Sequence, residues 1–247
     1  MNSVLEEIYA TGRVRDAADN THELHSHMSR DEGAAITRLL RAHDISRVVE
    51  VGLAYGLSAL HIGEALADAD APRHVAIDPY QNRDWHGIGA SNLERAGYTH
   101  VETVEQPSEL ALPQLLADGA TFQFGLVDGL HTFDQTLLDL YYVNRLLEVG
   151  GLLVVDDLWM PGVNKAVRSV LKYPAYEVVE VDLPTRTPSR SRRVMNMLGR
   201  GLPRSLSGLI FDDSLLRPDD DLGIAGSMAV LKKTAEDERS WDWFRPF

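Results

Sequence analysis

The sequence predicts an α/β fold, with a Rossmann-like, doubly wound and mostly parallel sheet of seven strands. An N-terminal helical segment precedes the sheet and an insertion interrupts it before the last strand. Short β-branched or apolar runs alternate along the chain with stretches of helical periodicity. The runs at 122–127 and 152–155 are continuously apolar, which is typical of strands buried on both faces. Such alternation indicates a parallel sheet with helices on both sides.

The predicted elements follow one another without an internal repeat. The helices are predicted at 32–43, 58–67, 89–96, 110–116 and 132–147, and the strands at 47–52, 74–77, 101–104, 122–127, 152–155, 176–181 and 226–232. The pair Gly150-Gly151 is expected to stop the long helix. Residues 1–30 are predicted to form a lid or cap segment, and 31–247 the main domain. The insertion at 183–224, a lid or an interface, contains six arginines: Arg186, Arg190, Arg192, Arg193, Arg200 and Arg204.

Composition narrows the classes of function. The chain has 247 residues, 44% of them hydrophobic, which is enough for one large domain. It lacks cysteine, an apolar run of membrane-spanning length and a signal sequence, so a cytoplasmic protein without a membrane partner is expected. A net charge of -13 disfavours nucleic acid as a partner. The expected partners are a small-molecule acceptor and a second copy of the chain in a homodimer.

A glycine-containing turn lies where the first strand gives way to a helix, the position at which open α/β sheets bind nucleotide-like ligands. The turn runs from Gly52 to Gly56 and follows Glu50. A dinucleotide fingerprint would need glycine at the positions of Ala54 and Leu57, so a pyrophosphate ligand is disfavoured. An ordinary strand-to-helix turn is the alternative.

Two polar residues follow the next strands. Asp78 ends the second strand, where a carboxylate can accept hydrogen bonds from both hydroxyls of a ribose. A solvated loop aspartate is the alternative. Ser108 follows the third strand and begins a helix, so it is either an N-cap or a contact to adenine.

Three carboxylates end two neighbouring strands, Asp128 after one and Asp156-Asp157 after the next. Three converging carboxylates repel one another unless a cation offsets their charge, and oxygen ligands suit Mg²⁺, or less selectively Ca²⁺ or Mn²⁺. The alternative is that some of them cap a helix or turn. His131 lies three residues beyond Asp128 and is either a general base or an exposed histidine at the start of a helix.

Together these motifs resemble the metal-dependent class I S-adenosylmethionine O-methyltransferases. The run from Glu50 to Ser58 is similar to catechol O-methyltransferase, and Asp128-Gly129-x-His131 with Asp156-Asp157 is closer to bacterial sugar O-methyltransferases of the macrocin type. The resemblance covers about Ser29 to Val163. It implies that Glu50, Gly52, Tyr55, Gly56, Ser58, Asp78, Ser108 and Asp128 bind S-adenosylmethionine, and that Asp128, Asp156 and Asp157 hold Mg²⁺.

The sequence departs from the catechol enzyme at one predicted metal ligand and at one predicted contact to the cofactor's adenine. Asp157 stands where that enzyme has an asparagine metal ligand, and Glu109 where it reads adenine with glutamine. His131 falls at the position of its lysine base, so Asp128 and His131 are the predicted catalytic residues.

The predicted activity is Mg²⁺-dependent methylation of a hydroxyl on a sugar, phenol or natural product. Three alternatives remain open at this stage: a metal-independent N- or C-methyltransferase, a nicotinamide-dependent oxidoreductase, and a non-catalytic module that binds another subunit through its arginine-rich insertion and aromatic tail. The triplet His22, His25 and His27 has no predicted strand or helix to fix it and is expected to be an ordinary surface or lid segment.

Overall fold

A computed structural model describes residues 2–179, 181, 197 and 219–245. The helices are α1 (Ser3–Thr11), α2 (Arg30–Ala42), α3 (Leu57–Leu66), α4 (Ile88–Arg95), α5 (Ser108–Ala117), α6 (Phe133–Leu146) and α7 (Pro161–Val170). The strands are β1 (Arg13–Arg15), β2 (Thr21–Glu23), β3 (Arg47–Val51), β4 (Arg73–Ile77), β5 (Val101–Val104), β6 (Phe122–Val127), β7 (Leu147–Val155), β8 (Tyr176–Val178) and β9 (Ala229–Lys233). Apart from residue 197, the predicted insertion lies outside the described residues up to 218, and so do its six arginines.

Seven strands form one sheet in the order β5-β4-β3-β6-β7-β9-β8, which confirms the predicted architecture. The first five strands of that order are parallel, whereas β9 pairs antiparallel with both β7 and β8. The strand order reverses between β3 and β6, and the crevice at such a switch point is where ligands bind in open α/β sheets.

The sheet buries apolar side chains on both faces because successive residues of a strand point to opposite sides. In β7, Val154 packs in one hydrophobic cluster with α2 and α3, while Val155 packs in another with α5, α6 and α7. In β3, Val48 packs in the same cluster as Val154, and Val49 packs in the same cluster as Val155. This two-sided burial fixes the register of the strands and the positions at which they end.

The segment that ends α6 differs from the prediction. The helix ends at Leu146, and Leu147 enters β7 directly with an extended backbone. Gly150 and Gly151 therefore lie inside the strand, at the place where the pairing of β6 with β7 shifts register. The prediction that they stop the helix was wrong, because the positive φ of Gly150 serves this irregularity instead.

The N-terminal thirty residues contain elements that the sequence analysis did not predict. Helix α1 buries Val4, Leu5 and Ile8 against the region of the glycine turn, and β1 and β2 form an antiparallel hairpin. His22 lies in β2, so the expectation that no strand fixes the histidine triplet was wrong for this residue. No helix among the described residues is long and apolar enough to cross a membrane.

Candidate functional site

The glycine turn joins β3 to α3 and packs against the end of β6. Gly52 has a φ of +96°, and a Cβ atom added to it would lie 1.9 Å from the carbonyl oxygen of Asp128. Gly56, also at positive φ, is the N-cap of α3. Only glycine fits at the first of these positions, since any side chain would overlap backbone that cannot move independently.

Asp78 fastens the turn to the end of β4. Its Oδ2 atom accepts hydrogen bonds from the backbone N–H groups of Ala54, at 2.8 Å, and Leu53, at 3.2 Å. Its Oδ1 atom accepts a hydrogen bond from the N–H of Tyr80 at 2.8 Å. The carboxylate is thus buried and holds the turn in place, and the predicted contact with a ribose stays a prediction.

Glu50 lies beneath the turn and is fully buried. The Ser58 hydroxyl donates to its Oε1 atom, and its Oε2 atom lies 2.8 Å from Nε2 of His74, which is also fully buried. The sequence analysis missed His74, although a polar residue in the adjacent buried strand was a signal for such a partner. Because both oxygens of Glu50 are engaged, this residue supports the turn and Ser58 from inside the protein.

Ser108 is the first residue of α5, and Pro107 occupies the N-cap position. The alternative that Ser108 is the N-cap was therefore wrong. Its Oγ atom accepts a hydrogen bond of 2.9 Å from Gln135 Nε2, and the same amide lies 3.4 Å from Oδ1 of buried Asp139. These residues form a small, mostly buried polar group between α5 and α6, and the predicted contact of Ser108 with adenine stays a prediction.

Two of the three predicted metal ligands meet at the carboxyl edge of the sheet, together with His131. Asp128, His131 and Asp157 each offer one ligand atom, and these atoms lie within 4.8 Å of one another. The Nε2 atom of His131 is 3.2 Å from Asp128 Oδ1 and 3.1 Å from Asp157 Oδ2. We call these three residues the carboxylate cluster.

Asp156 is not part of the carboxylate cluster. Its side chain is buried, and its Oδ1 atom accepts a 2.7 Å hydrogen bond from the backbone N–H of Asp157. Asp157 has a φ of +56°, so the backbone turns between the two residues and directs their carboxylates differently. Asp156 thus supports the conformation of its neighbour.

Burial and mutual repulsion set the charges of the acidic residues. Burial, followed by the nearby charge of Asp128, raises the pKa of Asp156 to about 9. Burial also raises the pKa of Asp128, while the hydrogen bond to Asp128 raises the pKa of His131. The imidazole of His131 lies between the two carboxylates, where a positive charge would be stabilised. Carboxylate oxygens are also the ligands that hard divalent ions prefer.

Trp159 borders the carboxylate cluster, and the sequence analysis did not single it out. Its Nε1 atom donates a 2.6 Å hydrogen bond to Asp157 Oδ1. The residue is nevertheless 53% exposed. Its indole ring therefore lies beside the cluster without being fully buried.

A cavity lies between the glycine turn and the N-terminal segment. It is lined by Ser26, His27, Met28, Gly52, Leu53, Ala54, Tyr55, Leu57, Ser58 and Asp128. Of the predicted cofactor residues, Gly52, Tyr55, Ser58 and Asp128 thus share one cavity. Glu50, Gly56, Asp78 and Ser108 are not among its lining residues. The sequence analysis gave no role to Ser26 or Met28, which close the cavity on the other side.

Residues 49–158 match a family model described as a methyltransferase domain. The chain is 30% identical to caffeoyl-CoA O-methyltransferase 2 of Populus trichocarpa, over 70% of this chain and 72% of that protein. It is 27% identical to flavonoid 3',5'-methyltransferase of Vitis vinifera, over 62% of this chain and 66% of that protein.

The fold is similar to that of an O-methyltransferase from Bacillus cereus that was crystallised with S-adenosylhomocysteine, with a TM-score of 0.61. That alignment has 18% sequence identity and covers 77% of this chain and 87% of the bacterial one.

Proposed function

The chain belongs to the class I S-adenosylmethionine-dependent O-methyltransferases, and we propose that it methylates a hydroxyl group of a small aromatic acceptor at a Mg²⁺ site. As a member of this family it is an enzyme, which argues against the oxidoreductase and the non-catalytic module. An N- or C-methyltransferase is likewise disfavoured. The acceptor and the metal are the parts that we propose.

The proposal rests mainly on Asp128, because this residue borders both the cavity and the carboxylate cluster. Its carbonyl oxygen packs against Gly52 and the residue lines the cavity at the glycine turn. Its carboxylate belongs to the carboxylate cluster with His131 and Asp157. A cofactor bound at the turn and an acceptor bound at the cluster would therefore meet at this one residue.

The donor atoms of the cluster fit Mg²⁺. Asp128 and Asp157 each supply a carboxylate oxygen, which is the ligand type that this ion prefers. A bound Mg²⁺ lowers the pKa of a hydroxyl group that contacts it. We place Asp128 and Asp157 as its ligands, and Asp156 as the residue that holds the backbone of Asp157 in position through their 2.7 Å hydrogen bond.

His131 is the proposed proton acceptor. Its Nε2 atom faces both carboxylates, so it lies where the hydroxyl of an acceptor at the cluster would lose its proton. S-adenosylmethionine supplies the methyl group as a sulfonium, and the reaction releases S-adenosylhomocysteine and one proton. The protein holds the two substrates in line, and such orientation lowers the activation free energy by several kcal/mol in well-oriented reactions.

The names of two relatives favour a phenolic acceptor, since they are named for caffeoyl-CoA and flavonoid acceptors. Trp159 lies beside the cluster, where its indole N–H donates a hydrogen bond to Asp157 Oδ1. An aromatic side chain at this place is compatible with a planar acceptor, because aromatic rings pack on one another.

The test is a methylation assay with S-adenosylmethionine and a panel of acceptors, with and without EDTA. The panel contains compounds with adjacent phenolic hydroxyls and, for comparison, sugars with free hydroxyls. We expect methylated phenols in Mg²⁺, loss of product in EDTA, and recovery when Mg²⁺ is added back.

The variant Asp157→Ala should be inactive in the same assay, whereas Asp118→Ala, at an exposed aspartate beyond α5, should be as active as the wild type. Full activity in EDTA would contradict the metal site and favour a metal-independent enzyme. Methylation of sugars alone would contradict the aromatic acceptor.

A further inference from the structure

The histidine-rich segment before α2 crosses the two loops that border the proposed cofactor site. One is the glycine turn, and the other follows β4 and Asp78. His25 contacts the first loop through Tyr55 and the second through Trp85. Tyr55 is also one of the predicted cofactor residues that line the cavity, whereas the proposed chemistry gives His25 and Trp85 no task.

His25 and Tyr55 make the tightest of these contacts. The Tyr55 hydroxyl lies 2.7 Å from His25 Nε2, and the two rings meet edge to face with centroids 5.2 Å apart. Trp85 completes the group, with its ring centroid 5.0 Å from that of Tyr55 and 5.7 Å from that of His25. Three aromatic rings and one hydrogen bond thus join the N-terminal segment to both loops.

A second contact lies three residues earlier in the segment. The rings of His22 and His86 stack with centroids 4.6 Å apart. His22 Nε2 is also 3.0 Å from Asp16 Oδ2, which fixes the histidine to its own hairpin. The hairpin is therefore tied to the loop after β4 independently of His25.

The residues between these contacts and α2 form one wall of the cavity. Ser26, His27 and Met28 line it opposite Gly52 and Ser58. The carbonyl oxygen of Met28 accepts a 3.1 Å hydrogen bond from the hydroxyl of Tyr9, and a capping box at Ser29 starts α2 immediately afterwards. The wall is thus anchored at its far end, while His25 is its attachment to the glycine turn.

We propose that His25 and Tyr55 form a latch that holds residues 26–28 over bound S-adenosylmethionine and sets how slowly the cofactor leaves. Both are positioning residues, since the latch acts through the wall and not on the reacting atoms. The inference rests on the proposed cofactor site. A ligand enclosed between the turn and the wall can leave only after the hydrogen bond breaks and the rings separate.

The experiment measures binding of S-adenosylhomocysteine to the purified full chain, by calorimetry for Kd and by stopped-flow displacement for the dissociation rate. Tyr55→Phe keeps the ring and removes only the hydroxyl. We expect S-adenosylhomocysteine to dissociate about fivefold faster from this variant, because the loss of one ordinary hydrogen bond has an effect of about this size. The association rate should change little. For His25→Ala the dissociation rate should increase more, and for His25→Gln, which keeps a polar group near Tyr55, it should increase less.

Tyr98→Phe is the matched control. Tyr98 is also a partly buried tyrosine, but it packs against Gly63 and is not among the residues that line the cavity. This variant should bind and release the ligand like the wild type. Equal dissociation rates for the wild type, Tyr55→Phe and His25→Ala would overturn the latch while leaving the proposed function intact. Failure of the wild-type protein to bind S-adenosylhomocysteine would overturn both.

Discussion

Gly52 and Asp128 touch through their backbones at the point where β3 and β6 end side by side. A Cβ atom on Gly52 would lie 1.9 Å from the carbonyl oxygen of Asp128. The contact places the glycine turn directly beside the strand that supplies the first residue of the carboxylate cluster. The separation between the proposed methyl donor and the proposed metal site is therefore fixed by the pairing of two central strands.

The first prediction concerns this contact. Gly52→Ala should abolish binding of S-adenosylhomocysteine and lower the free energy of unfolding by about 2–4 kcal/mol, because the new methyl group overlaps backbone and the φ of +96° strains the residue. Calorimetry and denaturant unfolding measure the two effects.

Gly119→Ala is the control for backbone strain alone. Gly119 has a φ of +73°, but an added Cβ atom would meet nothing within 4 Å. This variant should lose only about 1 kcal/mol and keep full ligand binding. Normal binding by Gly52→Ala would show that the turn is not the cofactor site.

The second prediction concerns the proposed base. His131→Ala should lower kcat by about 100-fold or more, the usual worth of general base catalysis, and should leave the Kd for S-adenosylhomocysteine unchanged. His131 is not among the residues that line the cavity at the turn, which is why binding should persist. The matched variant His43→Ala, at the C-cap of α2, should behave as the wild type. A His131→Ala enzyme with full turnover would exclude this histidine as the base.

The third prediction concerns Asp139, a carboxylate on α6 that is 1% exposed. Its Oδ2 atom has no hydrogen-bond partner among the described residues, and burial raises its pKa from 3.8 to about 6. The folded protein thus favours the neutral form. The resulting stabilisation is complete below about pH 4 and is lost as the pH rises through 6.

Asp139→Asn removes this titration because an amide stays neutral. The free energy of unfolding of the variant, relative to the wild type, should rise by up to about 2 kcal/mol between pH 4 and pH 7.5. Asp134→Asn should show the opposite trend below about pH 4, since the hydrogen bond with Thr132 lowers the pKa of Asp134 and the wild type loses this stabilisation as the carboxyl is protonated. Urea unfolding at several pH values measures both. If the difference in free energy of unfolding between Asp139→Asn and the wild type did not change with pH, burial would not destabilise the carboxylate.

Periodicity predicted the central strands well, because they are buried on both faces and leave an uninterrupted apolar signal. The central strand at 122–127 has the predicted bounds, and so does the strand at 101–104, which lies at the edge of the sheet and is partly exposed. Helix α1 was missed because it is only nine residues long and two adjacent acids interrupt its apolar residues. Gly150 and Gly151 were misassigned because a glycine pair has the same appearance after a helix and in an irregular strand.

The carboxylate cluster was predicted in part. Strand ends bring Asp128 and Asp157 together, and this follows from sheet topology alone. The sequence cannot show that Asp156 and Asp157 point differently, because that depends on the positive φ of Asp157. Nor can it show the contact of Glu50 with His74, which requires the lateral register of two strands.

The most direct test of the account is a calorimetric titration of metal-free protein with S-adenosylhomocysteine, followed by a titration with Mg²⁺, for the wild type and for Asp157→Ala. We expect micromolar binding of S-adenosylhomocysteine without metal in both proteins, and Mg²⁺ binding in the wild type only. Absence of S-adenosylhomocysteine binding, or Mg²⁺ binding that survives in Asp157→Ala, would contradict this expectation.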